Sequence, residues 1–233
     1  MLRRLAGQTA IYGVGTIVPR FLNYLLFPYL TRLMTTGEYG VVTDLYALIP
    51  FALVVLSMGL ETGYFRFAGE ATDPAQRKNI FANVWGIVSL AGILFFVLVQ
   101  LFTPRLAEVM QYTDHPSYIR LVAGIVLLNT VMAIPFARLR QEQRAKRFMV
   151  LKLLMVVVNS FLPILARNGV CSGWYNPEFG AGYVLVADLI SNIVVLAAMI
   201  PDLRGTAPRI QPSHLRALLI YSFPLLVSGV AGT

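Results

Sequence analysis

Apolar residues in this chain come in long unbroken runs, without the alternation or the three-and-four spacing of half-buried elements. Crossing a bilayer core of about 30 Å takes about 20 apolar residues of helix. Six runs reach or nearly reach that length: Thr9 to Thr31, Val41 to Gly63, Ile80 to Phe102, Tyr118 to Phe136, Met149 to Ala166 and Gly180 to Ile200. A seventh, Ala217 to Thr233, is still apolar at the last residue. In lipid each continuous run must satisfy its own backbone amides, which predicts helices and argues against barrel strands. The expected fold class is therefore all-α: a polytopic membrane helix bundle of six transmembrane helices plus a truncated seventh. The Pro-containing stretch from Arg204 to Ser213 separates them. Residues 1–203 are expected to form one six-helix lobe, 204–216 a cytoplasmic linker and 217–233 the start of the next helix.

Composition agrees: 57% of the 233 residues are hydrophobic and 13% charged, with mean hydropathy +0.69, against roughly 45–50% and 25% in soluble domains. The formal charge of +8 could point to nucleic acid, but in a membrane protein Lys and Arg first mark the loops that stay in the cytoplasm. Alternate connections separate cleanly. Of 19 basic residues, 14 fall on the side of the N-terminus and Arg32, Arg105 and Arg167 on the other, with Arg20 and Arg120 inside proposed helices. This predicts a cytoplasmic N-terminus. The run from Arg138 to Arg147 reads first as positive-inside charge and second as a patch for anionic lipid or nucleic acid. The apolar stretch after Arg3 and Arg4 is too long for a signal peptide and carries Arg20, so it is expected to stay as a membrane anchor.

Little in the chain suggests bond-making chemistry. Cys171 is the single cysteine, and His115 and His214 lie far apart in loops, so neither a metal site nor a redox pair is expected. There is no Ser-His-Asp set, no carboxylate pair in one loop and no glycine-rich phosphate loop. Neither enzyme activity nor a cofactor is expected.

Polar residues inside apolar helices are more informative. Arg20 lies near mid-helix, where a guanidinium needs a partner or a watered cavity. Tyr12, Thr16, Asn23 and Tyr24 share its face at three- and four-residue spacing, and Pro19 and Pro28 free carbonyls that usually face protein or water. Arg20, Asn23 and Tyr24 are thus a candidate binding stripe, against the alternative of an arginine locked to a carboxylate. Asp188 sits mid-helix with Ser191 and Asn192 at i+3 and i+4. It reads equally as a coupling site for a cation or proton and as an ion-pairing or hydrogen-bonding group that holds the bundle. Glu61, near the cytoplasmic end of its run, reads as a snorkelling or ion-paired residue, and Asp44 as interfacial. Asn129 is expected to bond across helices. Gly59 and Gly63 make a small-xxx-small packing match.

Particular phrases resemble a known family. Pro28-Tyr-Leu-Thr-Arg-Leu-Met-Thr-Thr-Gly-Glu-Tyr-Gly40 resembles the first loop of bacterial polysaccharide flippases, in the multidrug/oligosaccharidyl-lipid/polysaccharide exporter superfamily. Gly59-Leu-Glu-Thr-Gly-Tyr-Phe-Arg-Phe67, the segment from Arg140 to Phe148, and Tyr221-Ser-Phe-Pro-Leu-Leu-Val-Ser-Gly229 resemble later parts of the same family in the same order. The resemblance implies the N-terminal lobe of a two-lobe alternating-access transporter. The substrate it implies is an undecaprenyl-pyrophosphate-linked oligosaccharide carried across the bacterial inner membrane, with Arg20 matching a basic position of the first helix. Its implied partners are that glycolipid and membrane lipids. Two alternatives stand beside it: a cation-coupled drug or small-molecule exporter of the same superfamily, and a non-transporting scaffold that holds polysaccharide assembly enzymes through the basic cytoplasmic loop.

Overall fold

The structure, a computed structural model, describes residues 35–167 and 179–209 together with Ile17 and Phe21. Among the described residues six helices run in the order α1 (Thr36–Ser57), α2 (Leu60–Glu70), α3 (Pro74–Val109), α4 (Pro116–Gln141), α5 (Ala145–Arg167) and α6 (Gly182–Leu203). Ile17 and Phe21 are helical too. The expected helices at Thr9 to Thr31 and Ala217 to Thr233 otherwise lie outside the described residues.

The helix α4 is the centre. Every other named helix packs on it, and it is the most thoroughly buried of those long enough to span a membrane. Three apolar clusters lie along its length. Toward its N-terminus, Tyr118, Val122, Ile125 and Val126 meet Leu45 and Ile49 of α1 and Leu185 of α6. Toward its C-terminus, Ile134 and Ala137 meet Leu60 and Tyr64 of α2 and Phe81, Val84 and Val88 of α3. On another face, Met132, Phe136 and Leu139 meet Phe148 and Leu151 of α5 and Val195 and Met199 of α6.

Outside this core the bundle is as apolar as within it. On α3, Leu90, Ile93, Leu94, Val97, Leu98 and Leu101 recur at three- and four-residue spacing and are all exposed. A stripe of that size is not left in water. It is a lipid-facing surface, and α1, α3, α4 and α6 are each long and apolar enough to cross a membrane.

Several boundaries differ from the sequence reading for identifiable reasons. The run Val41 to Gly63 is not one helix. Met58 and Gly59 both adopt left-handed backbone, with φ of 48° and 66°, which closes α1 and restarts the chain as α2. Only glycine takes that conformation without a steric penalty, so Gly59 is where the run breaks. At its other end α1 begins at Thr36, five residues before the apolar run. Thr35 and Glu38 form a reciprocal capping box: Glu38 N–H donates to Thr35 Oγ1 at 3.3 Å, and Thr35 N–H donates to Glu38 Oε2 at 2.7 Å. The third helix also outruns its apolar stretch, from Pro74, behind an Asp73 cap, to Val109.

Candidate functional site

Asp188 is the polar centre of the apolar bundle. One turn of α6 places Ser191 and Asn192 beside it, and all three are buried. Asn192 Nδ2 donates to Asp188 Oδ1 at 3.0 Å and to the Asp188 carbonyl at 2.9 Å, while Ser191 Oγ donates to the same carbonyl at 2.8 Å. The other carboxylate oxygen is held from α1: Tyr46 Oη donates to Asp188 Oδ2 at 3.0 Å. The tyrosine reaches Asp188 because α1 and α6 both pack on the same stretch of α4.

Each carboxylate oxygen of Asp188 therefore carries one side-chain donor, and each has lone pairs to spare. Asn192 Oδ1, also buried, has no hydrogen-bond partner among the described residues. A buried acceptor in that condition is costly unless something transient fills it. A carboxylate and an amide oxygen side by side in an apolar bundle can take up a proton or a small cation. No group of three or more His, Cys, Asp or Glu suited to a metal exists among the described residues.

Glu61 does not join this cluster. It sits on the first turn of α2 and pairs with Arg140 at the end of α4. The Arg140 guanidinium also lies over the Phe65 ring at 5.3 Å. Asp44 accepts from Tyr112 Oη at 2.7 Å at the opposite end of the bundle. Burial first, then the bond to Asp44 and its charge, push the Tyr112 phenol up to about 12. Asn129 turns back to its own helix, its Nδ2 donating to the Ile125 carbonyl at 3.0 Å, so the expected bond across helices is not the one made there. Arg20, Asn23 and Tyr24 lie outside the described residues.

The structure adds groups that sequence reasoning passed over. Tyr46 looked like one more aromatic in an apolar run, and only the pairing of α1 with α6 gives it Asp188. Asp202, at the end of α6, holds two arginines: Arg144 Nη2 at 2.7 Å and Arg147 Nε at 3.0 Å. Arg138 pairs with Glu142. Much of the basic run from Arg138 to Arg147 is thus tied into the bundle, because Glu61 of α2 and Asp202 of α6 face it and its own Glu142 pairs with Arg138. Tyr64 Oη donates to Gln141 Oε1 at 2.6 Å, and burial pushes that phenol well above its usual range.

A bundle with a lipid-facing apolar surface and a buried polar centre defines a polytopic membrane protein. A family model described as polysaccharide biosynthesis protein matches residues 5–233, and the chain belongs to that family. No curated protein and no solved structure matches it. Family and fold together make it a membrane transport protein of polysaccharide biosynthesis.

Proposed function

We propose that the chain carries a lipid-linked oligosaccharide across the bacterial inner membrane, with an undecaprenyl pyrophosphate as the anionic part of its substrate. The family match over residues 5–233 carries this reading. In it, residues 1–203 form one lobe of an alternating-access transporter, 204–216 a cytoplasmic linker and 217–233 the first helix of a second lobe. The N-terminus is cytoplasmic, since the basic residues crowd that side. Arg20, with Asn23 and Tyr24, binds the pyrophosphate, whose oxygens suit a guanidinium fork. Asp188 and Asn192 are the coupling group, and Glu61 is structural, held by Arg140.

Flipping of a pyrophosphate-linked glycolipid in vesicles that carry the full-length protein tests the reading. Arg20→Ala should abolish it. Arg20→Lys keeps the charge but loses the bidentate fork and should retain only part of the rate. Full activity in a stably expressed Arg20→Ala protein would overturn the assignment.

A further inference from the structure

The described residues enclose a second polar feature, remote from Asp188. Fourteen residues of α6 separate Asp188 from Asp202, about 21 Å at 1.5 Å per residue, and beyond that end lies a cavity of about 390 Å³. Four cations from three parts of the chain line it: Arg77 and Lys78 from the first turn of α3, Arg138 from the last turns of α4, and Arg204 from the segment after α6. Glu142 is the single carboxylate among its lining residues. Tyr64 and Phe81, both buried, border it on the side of the apolar core.

The fold holds Arg138, which also lies over the Phe81 ring at 4.7 Å, but leaves much of the positive charge around the cavity without a counter-ion among the described residues. Arg138 Nε pairs with Glu142 at 2.6 Å, but its Nη1 is buried with no hydrogen-bond partner among the described residues. Arg77 Nε donates to the Ala71 carbonyl at 2.8 Å, and Arg77 makes no ion pair among the described residues. Lys78 and Arg204 have neither a hydrogen-bonded side-chain partner nor an ion pair among the described residues. The Lys78 ammonium is turned toward the post-α6 segment, 3.7 Å from where a Cβ on Gly205 would lie. Four like charges around one cavity repel each other in proportion to their closeness, and one carboxylate offsets only part of that. The missing component is an anion.

We propose that this cavity binds a phosphate group, supplied by the headgroup of an anionic phospholipid. Guanidinium forks and an ammonium point charge together suit the several oxygens of a phosphodiester. Basic pockets between membrane helices take such headgroups. Tyr64 and Phe81 close the cavity on the core side, and Lys78 lies two residues before the apolar run that opens at Ile80, so a phosphate held by Arg77, Lys78 and Arg204 sits at the end of a spanning helix, where lipid headgroups lie. The cavity lies at the end that the basic residues mark as cytoplasmic, and the proposal is independent of which glycolipid the protein carries.

The test is equilibrium binding to the purified full-length protein in neutral detergent, with radiolabelled phosphatidylglycerol, phosphatidylcholine and inorganic phosphate as separate probes. Phosphatidylglycerol should bind in preference to phosphatidylcholine, and less well as salt rises. Lys78→Gln with Arg204→Gln should weaken it by roughly tenfold or more per charge removed. Both side chains are exposed. Thr206→Glu, which adds a carboxylate to the lining, should weaken binding as well, while Lys146→Gln, exposed outside the cavity, should not. Saturable phosphate binding that competes with the lipid and is lost in the same variants shows that the cavity reads the phosphate itself; lipid binding without such competition shows that it reads the whole headgroup. Equal binding of the two lipids, or variants that bind phosphatidylglycerol like the parent, would overturn the proposal.

Discussion

Trp85 supplies the proton that Pro135 withholds. The indole N–H donates at 3.1 Å to the Val131 carbonyl, four residues before the proline and therefore the one left without its helical partner. In lipid no water can take that place, so the bond welds α3 to α4 within the cluster toward the C-terminus of α4. Trp85→Phe keeps most of the ring and deletes the donor, and should destabilise the protein by about 1–3 kcal/mol. In a Pro135→Ala background, where the helix can satisfy Val131 itself, the same change should cost much less. Unfolding titrations of the four proteins in mixed micelles give the coupling energy, and additivity would show that the bond contributes nothing.

The two carboxylates that face the basic segment should differ in weight. Asp202 is only 10% exposed and holds two guanidiniums, whereas the Glu61–Arg140 pair is 36% and 38% exposed. Asp202→Asn should therefore cost about 2–3 kcal/mol. Glu61→Gln should cost about 1 kcal/mol or less, and that loss should fade with added salt. The same micelle titrations rank them, and the reverse order would contradict the packing of α5 against α6.

As the proposed coupling group, Asp188 should tie the transport cycle to the membrane potential. An inside-negative potential favours outward movement of negative charge by about 2.3 kcal/mol per charge per 100 mV, roughly 4–5 kcal/mol for an uncompensated pyrophosphate diester. Asp188→Asn should slow resetting of the empty carrier more than substrate binding. Tyr46→Phe, which removes the donor from α1, should shift the cycle in the same direction by a smaller amount. Flipping rates in vesicles at zero and at inside-negative potential separate these effects; rates indifferent to both the potential and the substitution would exclude Asp188 from coupling.

Orientation has a chemical readout in the lone cysteine. The positive-inside count predicts Cys171 outside and Lys146 inside. A membrane-impermeant thiol reagent added to intact spheroplasts should label Cys171. Protection that is lost on denaturation would reverse the assigned topology.

The elements best read from sequence were those whose signal is length. Continuous apolar runs longer than 18 residues leave few choices in lipid, so α3, α4 and α6 appear where hydropathy puts them. Local chemistry was less visible because it overrides hydropathy at the ends. Thr35-Thr-Gly-Glu38 is a capping box in plain view, yet it sits outside the apolar run and was read as loop. The interruption at Met58–Gly59 falls inside an apolar run, where a lone glycine resembles a packing residue. The polar centre was half legible. Asp188, Ser191 and Asn192 share a helical face and announce themselves by spacing, but Tyr46 is 142 residues away in the chain, and no local pattern pairs them. The same holds for Asp202, whose two arginines come from the α4–α5 connection and the first turn of α5.

The segment that leaves α6 is stitched to the side of α3: the Arg209 N–H donates to the Ala82 carbonyl at 3.0 Å, and a Cβ on Gly86 would strike the Arg209 carbonyl oxygen at 2.5 Å. Five residues lie between Leu203 and Arg209, a leash of at most about 22 Å even when fully extended. Whatever follows residue 209 therefore pulls on α3 as well as on α6. A sideways swing of α3 must carry the leash with it or tear the stitch. The bare backbone at Gly86 is the buckle, and any side chain larger than hydrogen there would push away the segment that α6 carries and free α3 from it.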